Sequence, residues 1–305
     1  MKATAWRDRG QLYTVGKYRL FAIDTGGDGP VLAILHGYPT SSYDYVRALP
    51  ILAERFRVVV HDHLGFGFSD KPRQYSYSLI EQADHAVALW RQLGITTAHI
   101  LAHDYGTSVA TELVARRNFA SEPVTMETLT LCNGSMHIEL AELRPMQRLL
   151  RSPFFGPLVA RLASERLFGR NLRQVVADPA CLDDEDLAAM WQQLMAGDGR
   201  AVLAKVSRYI DERYRFWHRW IGALRQTDLP VSIVWARNDP VAVEKIAEVL
   251  HDEIAGSRLE LLDGLGHFPM IEDPARWSAA VLQGIEEVAG RNRADHGGEP
   301  DNPPA

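Results

Sequence analysis

The feature that most constrains the fold of this chain is a series of short apolar runs that alternate with segments of helical periodicity. The runs are rich in β-branched residues and cover residues 31–35, 56–60, 99–102, 129–132, 231–235 and 259–262. The helical segments cover residues 79–93, 108–117, 241–254 and 274–288. Continuous apolar runs of this length are typical of strands buried on both faces. Their alternation with helices predicts an α/β fold with a mostly parallel central sheet and helices on both faces.

The alternation stops between residues 133 and 227, where the sequence is helix-like and no buried strand is evident. We interpret residues 134–226 as a helical cap inserted between two parts of one core, residues 1–133 and 227–290. Because the insertion lies between two strands, it should cover the carboxyl ends of the sheet, where open α/β sheets bind ligands. Residues 291–305 contain almost no apolar side chains, and this composition predicts a disordered tail.

The composition excludes several classes of function. Lys plus Arg total 33 and Asp plus Glu total 39, so the formal net charge is −6, and no basic block suggests a nucleic-acid partner. The only cysteines, Cys132 and Cys181, have no metal-site or disulfide spacing, which favours a reducing, cytoplasmic setting. No signal peptide or bilayer-spanning segment is evident. We therefore expect no metal, no cofactor and no membrane span, and a monomer or homodimer.

An aspartate occupies the position of a catalytic nucleophile. The apolar run that ends in Ala102-His103 leads into Asp104-Tyr105-Gly106 and then into a helical segment. This order of strand, tight turn and helix is the context of a nucleophile elbow, whose usual pattern is G-x-S-x-G. Here Ala102 replaces the first glycine and Asp104 replaces the serine. An aspartate before a helix can also be a simple helix cap, so a catalytic role for Asp104 depends on whether an acid and a base accompany it.

Two further residues complete a catalytic set in the chain order nucleophile, acid, base. Asp239 follows the strand-like run VSIVWA, and His267 follows the run LELL in the loop GLGHF. Both should lie at the same sheet edge as Asp104. Asp239 precedes Pro240, so stabilisation of a turn is the alternative role for its carboxylate.

The segment after residue 35 should supply part of an oxyanion hole. The strand-like run VLAIL is followed by His36-Gly37-Tyr38-Pro39, the position from which such folds provide one backbone donor. The amide after the elbow residue provides the other. We therefore predict that the amides of Tyr38 and Tyr105 form the oxyanion hole.

These segments carry a family resemblance that extends from about residue 15 to residue 288. HGYPTSSYDY, DHLGFGFSDKP, AHDYG, ARNDPV and GLGHFP resemble the motifs of epoxide hydrolases and haloalkane dehalogenases of the α/β-hydrolase fold. The first three especially resemble those of mesoderm-specific transcript-like hydrolases. The resemblance implies an α/β-hydrolase fold with its cap inserted after strand 6. It also reaches the cap, where the segment from Arg208 to Trp220 resembles the one that holds a cap tyrosine in epoxide hydrolases.

The resemblance implies a two-step hydrolysis through an ester. An aspartate is ionised at neutral pH and can attack a saturated carbon without a base. Asp104 would therefore form the ester, and His267, oriented by Asp239, would activate the water that hydrolyses it. Tyr209 would protonate the oxygen of an opening epoxide. His36, Tyr214 and Trp217 are candidate substrate contacts, and Tyr214 is also a candidate second proton donor.

Three functions stay open at this point. Epoxide hydrolysis is the first, with a small or medium apolar epoxide as substrate. Haloalkane dehalogenation is the second, although Tyr105 and Tyr38 occupy positions where dehalogenases usually carry halide-binding residues. The third is a hydrolase-fold protein that binds a small ligand with little turnover, since the set of leaving-group residues is incomplete.

Overall fold

The computed structural model describes residues 1–119 and 123–296 and contains one eight-stranded sheet. Its strands are β1 (Gln11–Val15), β2 (Tyr18–Asp24), β3 (Val31–Leu35), β4 (Arg57–His61), β5 (Thr97–His103), β6 (Thr125–Cys132), β7 (Val231–Ala236) and β8 (Arg258–Leu262). The strand order is β1-β2-β4-β3-β5-β6-β7-β8. Strands β3 to β8 pair in parallel, whereas β2 is antiparallel to both β1 and β4. The prediction of a mostly parallel sheet is therefore confirmed.

The sequence pattern did not predict β1 and β2. Most of β1 is exposed, including Gln11 and Leu12, whereas β2 has a run of four buried apolar residues flanked by Arg19 and Asp24. Strand β1 therefore lacks the continuous apolar signature of the central strands, and the run in β2 is short. Strand β1 forms the edge of the sheet, and β2 lies between β1 and β4.

Helices cover both faces of the sheet, as the α/β prediction requires. The described helices of the core are α1 (Ala3–Arg7), α2 (Leu49–Leu52), α3 (Leu79–Gln92), α4 (Tyr105–Arg117), α12 (Glu244–Glu253), α13 (Pro269–Glu272) and α14 (Pro274–His296). Helices α3, α4 and α12 contribute to the apolar core on one face, and α1, α2 and α14 contribute to the core on the other. Two 3₁₀ turns, Ser42–Tyr45 and Pro179–Cys181, complete the described elements.

The cap lies between β6 and β7 and consists of helices among the described residues. They are α5 (Pro145–Arg151), α6 (Gly156–Leu162), α7 (Glu165–Arg173), α8 (Asp184–Met195), α9 (Gly199–Val206), α10 (Tyr209–Arg215) and α11 (Trp217–Gln226). Helix α11 packs against α4, the helix that begins at the elbow. The cap is therefore attached directly above the candidate nucleophile. The division into residues 1–133, 134–226 and 227–290 stays a prediction.

The predicted disordered tail needs a correction. Helix α14 continues to His296, so residues 291–296 are helical. The physical reason is that no glycine or proline interrupts this stretch, and Arg, Ala and Asn can extend an existing helix at little cost. Residues 297–305, the remainder of the predicted tail, lie outside the described residues. In the described part of the chain, the structure contains no helix that is both long and apolar enough to cross a bilayer.

Candidate active site

Asp104 lies in the sharp turn between β5 and α4, where the backbone has the strained geometry of an elbow. Its φ is 43° and its ψ is −105°, a region that residues other than glycine rarely adopt. Gly106 allows the close approach behind the turn, because a Cβ there would lie 2.1 Å from the carbonyl oxygen of Leu35. Thr107 stabilises the turn by donating its hydroxyl to the carbonyl of Asp104 at 2.5 Å. The turn therefore presents the Asp104 side chain at the carboxyl edge of the sheet.

The structure brings Asp239 and His267 to the same edge. The Nδ1 atom of His267 donates to Oδ2 of Asp239 at 2.7 Å, and Nε2 of His267 lies 3.9 Å from Oδ2 of Asp104. All three side chains are buried. His267 is therefore oriented by one carboxylate and directed toward the other. This is the arrangement of nucleophile, base and acid that the chain order predicts.

Asp239 is held by three donors as well as by the histidine. The amides of Val241 and Ala242 donate to its Oδ1 at 2.7 and 3.1 Å. Asn133, at the end of β6, donates its side-chain amide to Oδ2 at 2.9 Å. The alternative turn-stabilising role of Asp239 is thus real and coexists with its bond to His267. Asn133 has a positional role here, since it connects the acid to the neighbouring strand.

Burial and nearby charges act in opposite directions on the ionisation of the site. Burial favours the neutral form of Asp104, but the nearby positive charges of Arg213 and His267 outweigh it and hold the pKa of Asp104 well below its usual range. Burial likewise disfavours the charged form of His267. The carboxylates of Asp239 and Asp104 outweigh that effect and raise the pKa of His267 to about 10. In the free enzyme, Asp104 is therefore ionised and His267 carries a proton at neutral pH.

The loop after β3 supplies one amide to the carboxylate. The amide of Tyr38 donates to Oδ2 of Asp104 at 3.0 Å. Tyr105 is the first residue of α4, so its amide is among those that a helix leaves without an internal partner. Both predicted oxyanion-hole amides therefore flank Asp104. Their role in stabilising an intermediate stays a prediction.

His36 holds this loop in place and does not line the cavity beside the site. Its Nδ1 donates to the carbonyl of Gly37 at 2.8 Å, and its Nε2 accepts from the amide of His63 at 3.0 Å. The ring is fully buried, and burial lowers the pKa of His36. Both ring nitrogens are occupied by backbone groups. The predicted substrate contact is corrected to a structural role.

Tyr209 enters the site from the first turn of α10. Its ring packs against Tyr38, with 5.2 Å between ring centroids, and against Tyr105 at 5.1 Å. The hydroxyls of Tyr209 and Tyr38 are buried without a hydrogen-bond partner among the described residues. Burial, together with the charge of Asp104, raises the pKa of both phenols. Both side chains therefore keep their protons and can serve as donors beside an ionised carboxylate.

Arg213 is a member of the site that the sequence argument missed. Its Nη2 donates to the carbonyl of Asp104 at 2.8 Å and lies 3.5 Å from Oδ1 of the same residue. Its Nε donates to the hydroxyl of Ser108 at 2.8 Å, and its guanidinium lies 4.6 Å from the centroid of the Tyr209 ring. The side chain is only 1% exposed. A signal existed, because Tyr209 and Arg213 are four residues apart and share one face of a helix.

The other two predicted cap contacts lie outside the site. Tyr214 is 49% exposed, and the guanidinium of Arg151 lies over its ring. Trp217 donates its indole N–H to Glu139 at 2.9 Å and packs against His137. Tyr214 follows Arg213 on α10 and therefore points away from the face that carries Tyr209 and Arg213, whereas Trp217 begins the next helix, α11. Tyr214 is therefore corrected to an exposed position and is not the second donor, and Trp217 is corrected to a half-buried position outside the cavity lining.

A cavity of about 280 Å³ extends from His267 into the cap. His267, Tyr38 and Phe268 line its inner end. Most of the remaining lining comes from apolar side chains of the cap helices α5 to α9: Met146, Leu149, Leu150, Val159, Leu167, Phe168, Leu172, Trp191, Leu194 and Leu203. Polar side chains also contribute: Arg144, Gln147, Ser164, Asn171 and Gln174. The volume and the lining are those of a site for a small or medium apolar molecule.

Comparison with known proteins supports the fold and the motif resemblance. The family model for the alpha/beta hydrolase fold matches residues 30–274. LipZ of Mycobacterium tuberculosis is 38% identical over 277 residues, which cover 91% of this chain and 96% of LipZ. The human mesoderm-specific transcript homolog protein is 35% identical over 288 residues, which cover 91% of this chain and 86% of the human protein. The resemblance stated from the motifs is thereby confirmed.

Solved structures with the same architecture include proteins of both candidate activities. A haloalkane dehalogenase, the DbeA-M1 loop variant from Bradyrhizobium elkanii, has a TM-score of 0.78 at 21% identity and covers 94% of this chain and 99% of its own. The epoxide hydrolase CorEH has a TM-score of 0.76 at 18% identity and covers 92% of this chain and 99% of its own. At these identities the likeness shows the fold alone.

Proposed function

This chain belongs to the α/β-hydrolase fold family, and on that premise we propose that it is a cofactor-independent epoxide hydrolase with Asp104 as its nucleophile. The observation that carries the proposal is the pair of buried phenols beside an ionised carboxylate. Tyr209 and Tyr38 retain their hydroxyl protons, and their buried hydroxyls make no direct hydrogen bond among the described residues, although Gln147 is near that of Tyr209. Their rings pack together, and the backbone amide of Tyr38 donates to Asp104. An opening epoxide needs such donors for its oxygen.

In the first step, Oδ1 of Asp104 attacks an epoxide carbon. The other oxygen, Oδ2, accepts the amide hydrogen of Tyr38 and becomes the carbonyl oxygen of the ester. As the new bond to carbon forms, the carbon–oxygen bond of the epoxide breaks, and the oxygen takes a proton from Tyr209. Tyr38 supplies the second hydrogen bond to that oxygen, the role first assigned to Tyr214. The product of this step is a hydroxyalkyl ester on Asp104.

In the second step, the ester changes the chemistry of His267. Esterification removes the negative charge of Asp104, which is one of the charges that raise the pKa of His267. His267 can then release its proton, which restores the Tyr209 hydroxyl, and act as base on a water molecule. The resulting hydroxide attacks the ester carbon while the amides of Tyr38 and Tyr105 hold the oxyanion. The bond between that carbon and Oδ1 breaks, and His267 protonates the departing alkoxide, which completes the diol. Asp104, left as the carboxylic acid, then transfers its proton to His267, and both groups regain their starting charges.

The apolar cavity supports an epoxide with a hydrocarbon substituent as the substrate class. The lining by Leu, Val, Met and Phe side chains offers few partners to a charged or strongly polar molecule. A cytoplasmic location is also a proposal, and it rests on the two cysteines, which form no disulfide.

A Tyr209→Phe variant tests the leaving-group assignment. The substitution removes the hydroxyl and keeps the ring that packs on Tyr38 and Tyr105. We expect single-turnover alkylation of Asp104 by a terminal alkyl epoxide to slow by roughly 10²–10⁴, the usual contribution of general acid catalysis. Tyr45→Phe is the matched control. The hydroxyl of Tyr45 is also buried without a partner in the described part of the chain, but it lies beside Trp277 in the apolar core on the other face of the sheet.

The same assay discriminates the alternatives. Diol formation from the epoxide supports the proposal, and halide release from a 1-haloalkane of matched length, with no diol, would replace it with dehalogenation. Tight binding of either compound without product would leave a ligand-binding protein. An alkylation rate in Tyr209→Phe equal to that of the wild type would remove Tyr209 from the mechanism.

A further inference from the structure

The outer surface of the cap carries a patch of exposed apolar side chains. Phe154 and Phe155 are 87% and 60% exposed, and Leu158 and Leu162 are 56% and 68% exposed. Helix α6 turns its small residues, Gly156 and Ala160, toward the protein and its large ones toward solvent. This is the reverse of a helix that serves only to bury its apolar face. Leu149 and Leu167 extend this surface, which we call the cap patch.

The clustering of the patch is unusual within this protein. Among the described residues, ten large apolar side chains are exposed, and six of them lie between residues 149 and 167. Single exposed apolar side chains are common on protein surfaces, but a contiguous group of them indicates an interaction site.

Arginines surround the patch. Residues 144–173 contain seven arginines and one acidic residue, Glu165, although the whole chain has a formal charge of −6. Arg151 and Arg173 form ion pairs with Asp211 and Asp184. The other exposed arginines of this stretch have no ion-pair partner in the described ranges: Arg148, Arg161, Arg166 and Arg170. The patch therefore combines apolar side chains with uncompensated positive charge.

The patch also borders the cavity of the candidate active site. Leu149 and Leu167 belong to the patch and line the cavity, whose inner end is formed by His267 and Tyr38. A partner bound at the cap patch would therefore cover the outer end of the cavity that leads to His267 and Tyr38.

We propose that the cap patch docks this protein on the surface of an anionic phospholipid bilayer. Phe and Leu side chains at the centre would enter the boundary between headgroups and acyl chains, and the arginines would bind lipid phosphates. A second copy of the chain fits the patch less well, because two-fold contact would place the uncompensated arginines of both copies against each other.

Sedimentation with large unilamellar vesicles tests this proposal without an enzyme assay. The full chain is mixed with vesicles of phosphatidylcholine containing about one third phosphatidylglycerol, or with phosphatidylcholine alone. We expect binding to the anionic vesicles that weakens at high salt. Phe154→Ser/Phe155→Ser and Arg161→Glu/Arg166→Glu should each reduce the partition coefficient by about 10-fold or more.

Matched controls distinguish docking through the cap patch from nonspecific adsorption to the vesicles. Leu12→Ser changes another exposed leucine, which is 38% exposed on β1, and Arg91→Glu changes an exposed arginine at the end of α3. Both should bind like the wild type. Because all substituted side chains are exposed, the variants should keep the thermal midpoint of the wild type within a few degrees.

Three results would overturn the proposal. One is no binding of the wild type to either vesicle, and another is equal binding by the patch variants and the wild type. The third is a wild-type dimer in light scattering that Phe154→Ser/Phe155→Ser converts to a monomer, without vesicle binding, which would make the patch an interface between two copies.

Discussion

Asp104 is a buried carboxylate that is kept ionised by two cationic side chains, one from the core and one from the cap. His267 comes from the loop after β8 and Arg213 comes from cap helix α10, and their effects together outweigh the cost of burial. A nucleophilic carboxylate needs this balance, since a buried acid without such partners would be protonated and inert toward carbon. The same residue therefore depends on both the core and the cap.

The opposite pKa directions of Asp104 and His267 predict different pH profiles for the two steps. The pKa of Asp104 is depressed, so its charged form persists as pH falls, and alkylation should change less than about 3-fold between pH 8 and pH 5. Hydrolysis needs neutral His267 in the ester, where loss of the Asp104 charge lowers the pKa of His267 from its raised value in the free protein. Hydrolysis should therefore slow as pH falls through that lower pKa. Single-turnover kinetics at each pH resolve the two rates. A pH-independent hydrolysis step beside a falling alkylation rate would reverse this assignment.

Arg213 should act as a positioning residue for the nucleophile. Arg213→Met removes the charge beside Oδ1 and the hydrogen bonds to the Asp104 carbonyl and to Ser108. We expect alkylation to slow by roughly 10²-fold, because small displacements of a reacting group have effects of that size. The pH at which alkylation falls through protonation of Asp104 should also rise toward the ordinary pKa range of a carboxyl group.

Arg213→Lys provides the discriminating comparison. Lysine keeps the charge but cannot bridge Asp104 and Ser108 as a planar guanidinium does. In Arg213→Lys, the pH at which alkylation falls should therefore return toward that of the wild type, while the alkylation rate should remain reduced. Identical profiles for the Met variant and the wild type would show that Arg213 is only structural.

Sequence reasoning located the residues whose positions follow from strand ends. Asp104 follows β5 directly, Asp239 and His267 lie in the loops after β7 and β8, and parallel strands end at one sheet edge. Arg213 and Tyr38 as a side-chain donor were not found, because their roles depend on how the cap folds back on the core. Trp217 was misplaced for the same reason, since its side chain turns toward Glu139.

At the scale of elements, helix α4 connects the elbow to the cap. Glu112, buried on α4, accepts hydrogen bonds from Arg219 at 2.8 and 2.9 Å and from the indole of Trp220 at 2.8 Å, both on α11. Arg116 donates to the same carboxylate at 3.1 Å. One carboxylate thus fixes the last cap helix to the helix that begins at the nucleophile, and α10 lies directly before it.

Removal of the Glu112 charge should weaken this attachment. Glu112→Gln keeps the shape but leaves two guanidinium groups and an indole with a neutral acceptor. We expect the free energy of unfolding to fall by about 2–3 kcal/mol, as for hydrogen bonds to buried charged groups. Urea denaturation measures the change. Glu248→Gln, in an exposed pair with Lys245, is the control and should change stability by less than about 1 kcal/mol. A loss of equal size in both variants would contradict the attachment role.

The elements themselves were predictable to different degrees. The central strands were found because both of their faces are buried, as in β7, where all six residues are buried. The edge strand β1 was missed because most of its residues face water, and β2 was missed because its buried apolar run is only four residues long. The helical character of the cap followed from its composition, but the direction of α10 did not, because it is set by tertiary contacts such as those of Arg213 with Asp104 and Ser108.

At the scale of the whole molecule, the sheet provides a rigid edge and the cap encloses it. Asp104, His267 and the phenols of Tyr38 and Tyr209 are buried, and a largely apolar cavity leads to His267 and Tyr38. In such a site, water access is restricted while charges interact strongly. The enclosure suits a mechanism in which the protein, and not a free water molecule, makes the first bond to the substrate.

The most direct test of that claim is a single turnover of excess enzyme with an alkyl epoxide in oxygen-18 water, followed by mass spectrometry of the peptide that contains Asp104. Water attacks the ester carbon in the proposed mechanism, so the diol should carry an unlabelled oxygen from Asp104, and the Asp104 carboxylate should gain one oxygen-18 atom. Asp104→Ala should form no diol. A labelled diol together with an unlabelled Asp104 peptide would show that water attacks the epoxide directly and would contradict the ester mechanism.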